Sequence, residues 1–130
     1  MKAVAGGVVW ALVYNAVWVL AWLAFMRAEW FGTGARTEPW GIVWTVWTVL
    51  SLVLGISLSA YLATRPRRAA VSASIVLWVP LTLGMVAWAS QTSMSLRVAI
   101  LDSLVNLVAL LVASLTTAAV LRAVTPVAAA

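Results

Sequence analysis

Long apolar stretches fill four segments of the chain, about Val4–Phe25, Trp40–Ala63, Ala70–Ala89 and Val98–Ala123. Each approaches or exceeds the roughly 20 residues a helix needs to cross a bilayer. Drawn at the helical period, each gathers its Trp, Ser, Thr, Asn and Asp onto one face. In the first run Gly7, Ala11, Tyr14, Asn15, Trp18, Trp22 and Phe25 oppose Val9, Val13, Ala16, Val17, Val19, Leu20 and Leu23. In the second, Trp40, Trp44, Thr45, Trp47, Thr48, Ser51, Gly55 and Ser59 oppose Ile42, Val43, Val46, Val49, Leu50, Val53 and Ala60. In the third, Ser74, Trp78, Thr82, Met85 and Trp88 oppose Ile75, Val76, Val79, Leu83 and Val86. In the fourth, Ser95, Ala99, Asp102, Asn106, Ala109, Ala113, Thr116 and Thr117 form a seam of small and polar groups. Hydrocarbon cannot satisfy a hydrogen bond, so aliphatic faces meet lipid and polar faces turn inward. The pattern predicts an all-α integral membrane four-helix bundle, a single transmembrane domain over residues 1–130.

Composition closes off the soluble alternative. Hydrophobic residues make up 65% of the 130 and charged residues 8%, against about 25% charged in ordinary soluble domains. Mean hydropathy is +1.10. A secretory signal is a poor reading of the first run, which outruns a signal core of about 7–15 residues and lacks a small-residue cleavage site around Met26–Ala28. That helix is expected to be retained.

A net charge of +5 and a pI near 11.3 reflect loop cations rather than a nucleic-acid surface. Lys2, Arg65, Arg67, Arg68 and Arg122 fall on one side of the membrane, and Arg27, Arg36 and Arg97 on the other. The positive-inside rule then puts both termini in the cytoplasm. A multi-pass protein of a bacterial or archaeal cell membrane is expected. The absence of Cys and His removes thiol relays, histidine-ligated haem and the usual transition-metal sites, so neither a metal nor a cofactor is expected.

The connections add detail. Met26–Pro39 reads as the longest loop, with Trp30 and Phe31 in the headgroup zone and Thr37, Glu38 and Pro39 as a helix start. The short basic TRPRRAA segment makes the second and third helices antiparallel neighbours. Ser93 or Ser95 is expected to cap the last helix, which Thr125 and Pro126 end. Pro80 is expected to kink the third helix and free the Val76 carbonyl.

Candidate chemistry lies on the inward faces. Asp102 sits about 6 Å inside the predicted start of its helix, with Asn106 one turn deeper on the right face to bond it. Arg27 and Arg36 of the first loop are alternative partners. Asn15 and Asn106 fall at similar depth, and a bond between them explains both. Trp10, Trp30, Trp40 and Trp88 suit interfacial belts, whereas Trp18, Trp44, Trp47 and Trp78 lie deeper and face inward. Indoles can fill a bundle solidly or wall a pocket for an apolar or cationic guest. A pocket here would open toward the outer leaflet.

Trp22, Phe25, Arg27 and Trp30 at the end of the first helix, and Ser95–Leu96–Arg97–Val98 before Asp102, resemble a family of small four-helix bacterial membrane proteins, domain of unknown function 1761. The His common in the last helix of such families is absent. The resemblance implies an architecture and no activity. Small multidrug exporters and fluoride channels share the size, but their membrane Glu and Gly-rich filter segments are missing.

The expected function is binding or carriage of a hydrophobic or amphiphilic small molecule. Asn15, Trp18, Trp22, Trp44, Trp47, Trp78, Asp102 and Asn106 are its candidate contacts. One alternative is a structural or accessory subunit whose small-residue seam serves assembly, with a homodimer or larger membrane complex as partner. Another is a membrane-embedded isomerase or cyclase of lipid or terpenoid substrates, with Asp102 as the acid.

Overall fold

A computed structural model describes residues 1–32, 40–91 and 94–123. Helix α1 (Lys2–Ala21) passes through a π-helical turn (Trp22–Met26) into α2 (Arg27–Gly32). Helices α3 (Trp40–Leu62), α4 (Arg68–Gln91) and α5 (Leu96–Ala123) follow. Four spans are long and apolar enough to cross a membrane: Lys2–Glu29, Trp44–Leu62, Arg68–Gln91 and Leu96–Ala123. The helices pack together as an all-α bundle, and lipid contact follows from the apolar faces they expose.

The packing has a definite order. Helices α1 and α5 form the central pair, α3 lies against α1, and α4 lies against α5. Each of these pairs is antiparallel, as the partnered residues show: Asn15 with Ser51, Trp10 with Ser114, Ser74 with Leu110. Half of the most apolar window of α5 is buried, against 11% for α4, so α5 is the interior helix. The short loop before α4 does not make α3 and α4 full-length neighbours; they touch sparsely and each packs on a different member of the central pair.

The predicted sidedness of α1, α4 and α5 holds at most positions; Trp88, drawn with the inward groups of the third run, is exposed, and Val13 and Val17, drawn on the aliphatic face of the first, pack partly against the core. Gly7, Ala11 and Tyr14 of α1 are buried, as are Ser74 of α4 and Ala99, Asp102, Asn106, Ala109, Ala113 and Thr117 of α5. Leu20, Val76, Leu83, Leu104 and Val108 are exposed. Pro80 lies on the exposed side of α4, whose helix continues to Gln91.

At Gly7 and Gly55, α1 and α3 approach closely. A Cβ on Gly7 would stand 2.6 Å from the Ile56 backbone nitrogen, and one on Gly55 would stand 2.6 Å from the Gly7 carbonyl oxygen. Glycine on both sides lets the backbones touch, the small-residue packing that lipid-embedded helices rely on.

One boundary differs from the sequence reading. The stretch read as the start of the first loop is helical to Gly32, and its π turn closes through the Arg27 N–H donating to the Trp22 carbonyl. A π turn inserts one residue into the helical phase. Phe25, expected inward, is therefore exposed, and Met26 takes the buried place. At the other end of that connection, Thr37, Glu38 and Pro39 lie outside the described residues. Ser95 caps α5 as expected, its hydroxyl accepting from the Val98 N–H at 3.3 Å.

Candidate functional site

The polar centre of the molecule sits between α1 and α5. One helical turn separates Asp102 from Asn106, and the Asn106 amide donates to Asp102 Oδ2 at 3.1 Å. The other face of the same amide is an acceptor for two donors. Tyr14 Oη donates to Asn106 Oδ1 at 2.5 Å, and Trp18 Nε1 donates to it at 3.2 Å. Trp18 Nε1 is also 3.2 Å from Tyr14 Oη, a shared donor. The sequence places these groups by simple spacing: Tyr14 and Trp18 are four apart on α1, as are Asp102 and Asn106 on α5. Antiparallel pairing then brings the two couples to the same level.

Deeper along the pair, Trp10 is fully buried and stacks on Tyr14, with ring centroids 4.9 Å apart and planes 8° from parallel. Its Nε1 donates to Ser114 Oγ at 3.1 Å. The position of Trp10 near a helix start suggests the interfacial belt. It is four residues before Tyr14 and three after Gly7, on the same face, and that spacing carried the better signal.

Each remaining predicted contact has a definite place. Asn15 does not meet Asn106. Its amide donates to Ser51 Oγ and to the Ala11 carbonyl, both at 2.8 Å. A residue step turns a helix by about 100°, so Tyr14 addresses α5 while Asn15 addresses α3. Trp78 is half-buried and donates to the Ser103 carbonyl at 2.7 Å, joining α4 to α5. Ser74 strengthens that contact through the Leu110 carbonyl at 3.1 Å. Trp22 and Trp44 are half-buried.

Trp47 departs from the expected inward position and is 40% exposed. It lies at the flank of the α3 stripe, and α3 shares too little contact with α4 for that helix to cover it. Thr45 and Thr48, also exposed, donate back to the Gly41 and Trp44 carbonyls at 2.7 Å. A hydroxyl satisfied within its own helix can face hydrocarbon. Trp88 is exposed, in keeping with a belt residue; the side chains of Trp30 and Trp40 lie outside what the structure describes.

Charge at this end is partly paired outside the seam. Arg97 reaches Glu29 at 2.7 Å, across the gap between α5 and α2. Among the described residues no cation pairs with Asp102, which is buried with Asn106 as its hydrogen-bond donor. Arg36, one of its two expected partners, lies outside the described residues. A shallow depression of about 310 Å³ lies nearby, lined by Leu23, Ala24, Phe25, Arg27 and Ala28. It is a dent on the outside of the first helix and not a chamber between the deep indoles.

Among the described residues no group of His, Cys, Asp and Glu could hold a metal ion. The network fastens α1 to α5 and leaves Asp102 as its one carboxylate. Compared with protein-family models, curated proteins and solved structures, the chain matches none of them.

Proposed function

We propose that this membrane protein binds or carries a hydrophobic or amphiphilic small molecule, with Asp102 as its polar anchor and neighbouring indoles as its apolar wall. The single observation behind this reading is the state of Asp102. It is a buried carboxylate in a membrane helix with one amide donor and no paired cation among the described residues. Such a group is expensive in a bilayer unless a partner or a proton neutralises it. A lipophilic cation supplies both a partner for the carboxylate and a surface for Trp faces. With Lys2 and the basic loop on the cytoplasmic side, Asp102 lies toward the outer leaflet. No family model matches the chain, so the resemblance to domain of unknown function 1761 adds nothing on setting or ligand.

A second reading, an accessory subunit without a ligand, draws on a different observation. The indole N–H groups of Trp10, Trp18 and Trp78 and the amides of Asn15 and Asn106 are all engaged within the bundle. Groups so committed fasten helices.

Titration with tetraphenylphosphonium, followed by tryptophan fluorescence in lipid nanodiscs, separates the two. Binding predicts saturable quenching, weakened roughly tenfold or more in Asp102→Asn, since losing a desolvated charge partner costs about 2 kcal/mol or above. Quenching that rises linearly with the probe and is identical in the variant favours the accessory subunit.

A further inference from the structure

The opposite end of the molecule carries a charge that no acidic side chain among the described residues offsets. Lys2, Arg65, Arg67, Arg68 and Arg122 meet there, at the start of α1, the α3–α4 loop and the end of α5. The two acidic residues within the described segments, Glu29 and Asp102, belong to the other end. Twenty residues of α5 separate Asp102 from Arg122, about 30 Å at 1.5 Å per residue. That distance is far beyond the roughly 4 Å of an ion pair, so Asp102 does not pair with the cluster.

Local geometry organises the cluster. Arg122 Nη2 lies 3.5 Å from the Arg65 carbonyl oxygen, which holds the end of α5 beside the loop. The Arg65 guanidinium sits over the Tyr61 ring, 5.3 Å from its centroid. This packing uses the face of the guanidinium and leaves its N–H edge available, and Arg122 likewise keeps most of its five donors. Arg67 on the same loop and Arg68 at the start of α4 are exposed. Tyr61, 44% exposed, gives the site an apolar shoulder at the level where headgroups meet acyl chains.

We propose that Arg65 and Arg122, supported by Arg67 and Arg68, form a binding site for the phosphate of an anionic phospholipid in the adjoining leaflet. Paired guanidinium groups match phosphate oxygens through forked hydrogen bonds. The lipid's net negative charge supplies the neutralisation that the chain lacks, and its acyl chains lie along the exposed aliphatic faces of α3 and α4. This inference rests on the basic end alone and stands whether or not Asp102 binds a ligand.

Native mass spectrometry of the detergent-solubilised protein with equimolar phosphatidylglycerol and phosphatidylcholine tests it. The wild type is expected to retain phosphatidylglycerol at least several-fold over phosphatidylcholine. Arg65→Gln/Arg122→Gln should lose that preference while keeping its helical circular dichroism, and Arg97→Gln, at the other end, should keep it. Equal retention of the two lipids overturns the proposal, as does a preference unchanged in the double variant. Displacement of phosphatidylglycerol by millimolar inorganic phosphate would assign the site to free phosphate, and would also overturn it.

Discussion

Gly7→Ala is expected to separate α1 from α3 and to destabilise the bundle by about 3 kcal/mol, the upper part of the usual range for overpacking. The added methyl would lie 2.5 Å from Ile56 Cγ1, 2.6 Å from its nitrogen and 2.7 Å from its Cα. A side-chain clash alone could be relieved by a rotamer change. A clash with backbone requires one helix to move, and movement opens the Asn15–Ser51 bond one turn or more away. Gly84→Ala is the control, since a Cβ there meets nothing within 4 Å. It should be neutral or stabilising by up to about 1 kcal/mol, because alanine is the better helix former. Reversible unfolding in mixed micelles reads both. Equal stability of the two variants would contradict the close contact.

Asn106→Leu carries the second large effect. Leucine matches the side chain in size but offers neither acceptor nor donor. Tyr14 would lose its acceptor and Asp102 its amide donor, while Trp18 would keep only Tyr14 Oη. An unsatisfied buried group costs about 1–3 kcal/mol, and hydrogen bonds between membrane helices have measured nearer 0.6. With two groups stranded, one of them a carboxylate, a loss of about 2–3 kcal/mol is expected. Tyr14→Phe should cost about 1 kcal/mol, because it removes the donor together with the demand and leaves Trp18 bonded to Asn106. The two losses will not add, since they belong to one network. A double variant as unstable as the sum of the singles would mean that the groups act independently.

The sequence made sidedness legible because lipid imposes it so strictly. Leu104 and Val108 on the outside of α5, against Ala109 and Ala113 inside, follow from the helical period alone. The Asp102–Asn106 bond was readable for the same reason, being a spacing of four within one helix. Partner choice across helices was not. Whether Tyr14 or Asn15 meets Asn106 depends on a rotation of one residue, which a face drawn a third of a turn wide does not resolve. Phe25 and Met26 exchanged places because a π turn shifts the phase, and no residue in Trp22–Met26 announces it. Trp47 reads as inward because it shares the polar, indole-bearing face of its helix, on the premise that such a face is covered by neighbours. That premise failed because α5, the helix with most small residues on its buried face, drew both α1 and α4 to itself.

The account depends above all on Trp10 being sealed between helices while Trp47 and Trp88 face lipid. Fluorine NMR of the protein labelled with 5-fluorotryptophan, with dissolved oxygen as an apolar paramagnet in the bilayer, measures this directly. Resonances are assigned by single Trp→Phe variants. Among the described indoles, Trp47 and Trp88, 40% and 46% exposed, should show the largest oxygen-induced shifts, and Trp10, at 0%, the smallest. A Trp10 resonance that shifts as far as that of Trp47 would contradict the inward-facing seam.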